Sequence, residues 1–390
     1  MSERVMLVLI GGRSAVPAIA GALQFLDKVD RVKFLLCDGD QYPSLQKNVE
    51  KVLKQEQGNL LCDKNTDVIV VNPNKFDAVY TAVDTLCKGV KYLNYVNLTT
   101  VPQAMAISVY SYVLKEYKDA LVFSVNTDLS QIIPLVFGSK STPFNKPLTV
   151  ANYIAMYGFN IFKKNEGKSY EDSVAQYFEV AQSFVKEVEV SSKILSIIRQ
   201  NAGGGDSITA PRTFTFNIQT DTFNDLENNL EAFFEILGQA QIIHNFQKLE
   251  REIKFKIETK ENYAFLAGDW LELYVYLSAI ECKFHSVEMG VELANYIGEV
   301  DVFCLNNANA MICECKTGKL KSEDLQKLNS KAQKLGNNYC VKLFITNSDI
   351  EVDFSNQAKS NNIVVVSGNQ LSDLTNILKK EMQSPTYQRR

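Results

Sequence analysis

Histidine is nearly missing: in 390 residues only His244 and His285 occur. A Ser-His-Asp triad or a histidine-rich metal cluster would have to be built from these two. Neither has an arginine four to six residues upstream, as an Arg-His ribonuclease pair of that spacing requires, so packing or surface roles are expected for both. The eight cysteines, Cys37, Cys62, Cys87, Cys282, Cys304, Cys313, Cys315 and Cys340, include no Cys-x-x-Cys pair to grip zinc. Buried structural thiols are the expectation. No apolar run approaches the roughly 20 residues that cross a bilayer, and no charged-then-apolar leader opens the chain. A soluble, cytoplasmic protein without a membrane partner is expected. The formal net charge of −4 does not advertise nucleic acid either.

What is present is size and pattern. The length suggests two or three domains of roughly 100–200 residues each. Over residues 1–147, apolar runs such as Val5–Ile10, Val32–Leu36, Val68–Val71, Tyr92–Val96 and Ala120–Val125 alternate with helix-length segments. Strands spaced in this way need crossover connections, which predicts a Rossmann-like α/β sheet. Ligands of such sheets sit beyond the carboxyl ends of the strands. The candidate binding residues are therefore Gly11, Gly12, Arg13 and Ser14 after the first strand, Asp38 after the second, Asn97 to Gln103 after the fourth, and Thr127 and Asp128 after the fifth. Gly11-Gly12 followed later by Asp38 suggests dinucleotide binding, but the third glycine of that fingerprint is missing.

Residues 148–249 read as a mostly helical connector, with Gln239–Glu252 helical and Glu252–Thr259 a strand. The triple glycine at Gly203–Gly205 lacks the Lys-Ser/Thr of a P-loop and reads as a solvent loop. From residue 250 to 390 the pattern changes. A helix opens at Gly268-Asp269-Trp270-Leu271-Glu272, and strands follow at Val287–Leu293, Val300–Leu305 and Ala310–Lys316. A helix then runs from Glu323 to Leu335, capped by Ser322 and left through Gly336. Leu325, Leu328, Ala332 and Leu335 form its inward stripe, while Lys327, Lys331 and Lys334 are expected to face outward. Between Lys316 and Lys342 seven lysines stand against two acids. Such a basic surface suits a phosphate backbone, so Lys327, Lys331 and Lys334 are candidate nucleic-acid contacts.

Asp301 and Glu314 fall on neighbouring strands, and each can offer an oxygen to Mg²⁺ or Mn²⁺. Glu314 and Lys316, two apart, share one face of the strand; Cys313 and Cys315 are expected on the other. Glu272, on the preceding helix, is a third ligand or a proton acceptor. The candidate catalytic set is Glu272, Asp301, Glu314 and Lys316. Asp-x(about 12)-Glu-x-Lys alone is a weak signal, since surface acids and lysines produce it by chance.

With Gly268-x-Trp270-Leu271-Glu272, Glu299-Val300-Asp301-Val302 and Glu314-Cys315-Lys316-Thr317-Gly318, the segment resembles the PD-(D/E)XK nuclease superfamily. It is most similar to the CRISPR-associated branch in which that nuclease follows a CARF sensor domain. The resemblance implies a homodimer activated by a cyclic oligoadenylate, with cyclic tetra-adenylate expected. It also implies a restriction-endonuclease-like C-terminal domain that cuts single-stranded RNA or DNA, or nicks duplex DNA. CARF domains are similar at Asn97-x-Thr99. Thr100-Val101-Pro102-Gln103 replaces their glycine pair, threonine and lysine, and Arg13 is expected to supply the missing charge. Two alternatives stay open at this point: a non-catalytic nucleotide-binding regulator, and a ring nuclease that degrades the messenger.

Overall fold

A computed structural model describes residues 3–12, 14–163, 174–205, 207–217, 227–250, 252–293, 298–336 and 340–387. The chain forms two compact units, one built from residues 1–161 together with 305–310 and 334–336, the other from the rest of the described chain. Arg13 lies outside the described residues.

The first unit begins with Val5–Ile10, fully buried in β1 (Arg4–Ile10). A run that is apolar at every position, without alternation, belongs in a sheet covered on both faces. It is followed by α1 (Val16–Leu23), β2 (Arg31–Cys37), α2 (Tyr42–Glu56), β3 (Val68–Val71), α3 (Phe76–Cys87), β4 (Tyr92–Asn97), α4 (Gln103–Glu116) and β5 (Leu121–Asn126). The sheet runs β3-β2-β1-β4-β5 with every one of these pairs parallel, which is the predicted Rossmann-like arrangement. Two strands that the sequence pattern hides, β6 (Gln131–Pro134) and β7 (Thr142–Pro143), extend it antiparallel. The strand order reverses between β1 and β4, which opens a crevice at the carboxyl ends of that pair. Helix α5 (Val150–Met156) follows, with Thr149 Oγ1 accepting from Asn152 N at 3.1 Å.

The second unit holds β8 (Ile161–Lys163), α6 (Val174–Lys186), α7 (Val188–Asn201), β9 (Arg212–Asn217), α8 (Glu227–Gln239), β10 (His244–Lys248) and β11 (Glu252–Ile257). The stretch over 148–249 expected to be a mostly helical connector thus also contains strands β9 and β10, which pair on either side of β11, the strand predicted from Glu252, in an antiparallel sheet ordered β10-β11-β9. The helix predicted over 239–252 is a strand instead. Pairing with β11, and Phe246 stacked on Phe234 at 5.1 Å, outweigh local preference there. Val180, Phe184, Leu195 and Phe234 from this stretch share one core with Phe255, Leu271, Val302, Cys313 and Leu343.

The chain continues through α9 (Lys260–Ala264), α10 (Trp270–Glu281), β12 (Ser286–Leu293), β13 (Gly298–Asn306), β14 (Asn309–Lys316), α11 (Ser322–Lys334), β15 (Cys340–Thr346), α12 (Val352–Ser360), β16 (Val364–Ser367) and α13 (Leu374–Gln383). The sheet order is β16-β15-β14-β13-β12-β8, with β15 and β16 parallel. A two-residue turn joins β13 to β14, and Asn307 adopts φ +57°, a value asparagine tolerates well. Ser322 is the first residue of α11 and not its cap; Asp324 Oδ2 accepts from Lys321 N at 3.0 Å instead.

Candidate active site

The ends of β13 and β14 bring acids together. Cys315 N donates to Asp301 Oδ2 at 2.6 Å, which locks the two strands at the level of Glu314. Asp301 is partly buried, and its carboxyl lies well above the ordinary range. Burial is the first cause, followed by the negative charges of Glu314 and Glu272, while Lys331 and the Cys315 N–H pull the other way. Three acids from α10, β13 and β14 therefore act on one another.

Lys331 departs from its predicted place. It is buried, and its Nζ sits 2.5 Å from Glu314 Oε2, with side-chain exposures of 10% and 16%. An ammonium held on a partly buried carboxylate is not an outward nucleic-acid contact. Lys342 is also buried and donates to Asn329 Oδ1 at 2.8 Å, so the expected basic surface is smaller than the lysine count suggests. Lys327 and Lys334 are exposed as predicted.

Lys316 is exposed and lines a cleft of about 190 Å³ together with Glu272, Asp269, Cys315, Thr317 and Arg199. Cys315, expected to face away from this chemistry, borders it; its thiol is pushed up by burial and by Asp301 and Glu272. The other thiols are buried or half-buried, and burial holds Cys62 and Cys87 at about 12, which makes them inert.

Arg199, which lies 118 residues from its partner, has no local signature. Its guanidinium donates to Thr317 Oγ1 at 2.6 Å and Thr317 O at 3.2 Å, and Thr317 Oγ1 donates to Ala267 O at 3.0 Å. Two glycines leave room for this clamp. A Cβ at Gly318, where φ is +86°, would meet Arg199 NH1 at 2.9 Å, and one at Gly268 would meet Thr317 Oγ1 at 3.1 Å. Gly268 also breaks the helical geometry between α9 and α10, which sets the direction in which Glu272 leaves its helix.

Among the described residues no three His, Cys, Asp or Glu side chains form a set that could enclose an ion. Mg²⁺ does not demand such a cage, since it keeps several waters and takes one or two carboxylates plus substrate phosphate. A crowded acid trio, with an ammonium drawn onto one member, has the donor chemistry for a hard cation. Asp301 and Glu314, with Glu272 beside them, fit that role.

The raised Asp301 carboxyl has a consequence for pH. The fold prefers its neutral form, so the stability it contributes is present below the ordinary carboxylate value near 4 and is lost as pH rises through the raised one. Metal-free protein is expected to melt at progressively lower temperature as pH climbs, and Asp301→Asn is expected to flatten the slope. An unchanged slope in that variant would remove Asp301 from the account.

At the β1/β4 crevice the predicted residues divide into two groups. Asn97 is fully buried; its Oδ1 accepts from Thr99 N (3.0 Å) and Thr99 Oγ1 (2.6 Å), and its Nδ2 donates to Ala18 O (3.1 Å). Thr99 Oγ1 accepts from Val125 N at 2.9 Å. These two side chains are spent inside the fold and shape the loop; they are not available as ligand contacts. Asn97→Ala is expected to cost about 1–3 kcal/mol of stability. Thermal melts with and without ligand would show the loss in both states.

Ser14 Oγ accepts from Val16 N at 3.2 Å at the start of α1. Asp38 and Gln103 are exposed, and Thr127 is half-buried in a turn. A Cβ at Gly12 would meet Thr100 Cβ at 2.7 Å, so the two loops touch. Thr100 itself adopts φ +69°, unusual for a β-branched residue, and its buried Oγ1 has no partner.

Residues 259–384 match the family model "Card1-like, endonuclease domain". No curated protein matches the chain. Among solved structures, protein VC1899 from Vibrio cholerae superposes with a TM-score of 0.76 at 16% identity, covering 98% of each chain. Can2 from Sulfobacillus thermosulfidooxidans, solved in complex with cyclic tetra-adenylate, superposes with a TM-score of 0.67 at 17% identity, covering 97% of each chain. The chain therefore shares its overall fold with these two solved structures, and its C-terminal part matches the endonuclease-domain model.

Proposed function

We propose that this chain, which has the CARF-nuclease fold and ends in a Card1-like endonuclease domain, is a cyclic-oligoadenylate-activated, metal-dependent nuclease of type III CRISPR antiviral defence. The observation that carries the reading is the mutual crowding of Glu272, Asp301 and Glu314 beside Lys316. Asp301 and Glu314 would hold Mn²⁺ or Mg²⁺, with Glu272 as a further ligand. The bound ion would supply a water of lowered pKa and offset charge on the attacked phosphate.

The chain's own groups do the rest. Lys316, exposed at the cleft, steers the phosphate or the attacking water. Glu272, where it is not itself a ligand, would accept the proton that the water loses. Lys331 holds the Glu314 carboxylate that would anchor the ion, so the two would compete for it.

On the sensor side, the touching loops at Gly12 and Thr100 and the first turn of α4 with Gln103 offer backbone N–H groups to phosphates. Cyclic tetra-adenylate is the expected ring, as in the Can2 complex. A two-fold ring suits a homodimer. Ile107 and Leu114 on α4, with Leu129, Ile133, Val136 and Phe137, are exposed apolar residues of the kind a second copy would cover. Cytoplasmic location belongs to the same proposal; among the described residues no helix is long and apolar enough to cross a membrane.

The test uses purified protein, labelled RNA and DNA, Mn²⁺ or Mg²⁺, and rings of several sizes. Cutting is expected only when metal and ring are both present. Ring binding without cutting would make the protein a regulator, and loss of the ring itself would make it a ring nuclease.

A further inference from the structure

A second, larger cleft of about 330 Å³ adjoins the first, and the two share Arg199 and Thr317. It is walled by α7, by the chain entering α10 and by the residues after β15. Leu195, Leu266 and Trp270 make an apolar lining, while Ser192, Asn347 and Ser348 add polar groups. Its volume falls in the range of roughly 300–1,000 Å³ typical of small-ligand pockets, and such pockets combine apolar walls with a few placed polar atoms.

Two of those atoms are unanswered. Asn347 is 8% exposed and donates from Nδ2 to Ser192 Oγ at 2.8 Å, which leaves its buried Oδ1 without a partner. Trp270 is 1% exposed, and its Nε1 also has none. A buried polar atom without a partner is costly, so each calls for an explanation. Both atoms belong to residues that line the same cleft. A flat ring with apolar faces and a mixed donor–acceptor edge would suit it. At the boundary of the two clefts, Arg199 spends two of its five donors on Thr317. Guanidinium is the side chain best suited to grip a phosphate there.

We propose that this cleft is a nucleobase subsite. It takes the base of the nucleotide next to the scissile phosphodiester, Asn347 reads that base's edge, and Arg199 holds the phosphate between the clefts. The proposal rests on the nuclease reading and adds a source of sequence preference to it.

The molecule carries its own probe, because Trp270 is its only tryptophan. Glu314→Gln protein in chelator is titrated with short single strands that differ at one nucleotide, and Trp270 emission is followed. Midpoints are expected to differ by about fivefold or more between best and worst base, the scale of one good edge contact. Asn347→Ala is expected to compress that spread to within about twofold. Asn347→Asp, nearly the same shape with an acceptor kept in place of Oδ1, is expected to keep the preferred base and guards against a folding artefact. On active protein, cut sites mapped in a randomised strand should show the same bias at one flanking position, lost in Asn347→Ala.

Cutting without an emission change, or a bias that Asn347→Ala leaves intact, overturns the subsite and spares the nuclease. Base-selective emission changes without cutting, under metal and ring, keep the subsite and sink the nuclease. A free mononucleotide that competes as well as the strand would make the cleft a separate nucleotide pocket, and that also overturns the proposal.

Discussion

Glu314→Gln is expected to lower metal-dependent cutting by on the order of a thousandfold and to leave ring binding unchanged. A bound cation supplies several kcal/mol of transition-state stabilisation, and about 4 kcal/mol corresponds to roughly 10³ in rate. Glutamine keeps the shape and one oxygen but removes the charge that would anchor the ion. The fold should tolerate the change, because the amide oxygen still accepts from Lys331 where the carboxylate now does at 2.5 Å. Rates under saturating ring and Mn²⁺, together with ring titrations on the same protein, are the measurement. Undiminished cutting would defeat the assignment of the site.

Lys331→Met is expected to destabilise the metal-free protein by about 3–5 kcal/mol, because it strands a partly buried carboxylate next to a second one. For a unit of this size that is on the order of 10 °C in melting temperature. Mn²⁺ is then expected to raise the melting temperature more in the variant than in the wild type, since the ion no longer has to displace an ammonium. If Lys331 were an outward strand contact instead, the variant would bind nucleic acid more weakly and melt normally. Melts in chelator and in Mn²⁺ separate the two.

The sheets were legible where continuous apolar runs left no choice. Val5–Ile10 reads as a strand covered on both faces, and the five runs read as strands form the parallel part of the first sheet. By contrast β10 was not legible, because its polar residues carry no period of two and its existence depends on β11 and Phe234. Glu272, Asp301 and Glu314 could be read as a set because their spacing within strand and helix is local. Arg199 could not, because its partner is 118 residues away and only packing joins them.

Lys331 is an intermediate case. It lies three residues after Leu328 and four before Leu335, so it falls within the inward stripe. A charge at such a position was a sign that something acidic waited opposite. Asn97 and Thr99 show the converse, since polar residues beside a crevice can be spent entirely on the backbone around them.

Thr100 leaves the loop between β4 and α4 under tension. A β-branched residue held at φ +69° costs on the order of 1–3 kcal/mol, and the neighbouring Gly12 is pressed too close to admit any side chain. A guest that gave the threonine hydroxyl an acceptor and let the backbone ease would gain up to about a hundredfold in grip with no added charge. Its departure would reset the loop, like a latch that springs back when the key is withdrawn.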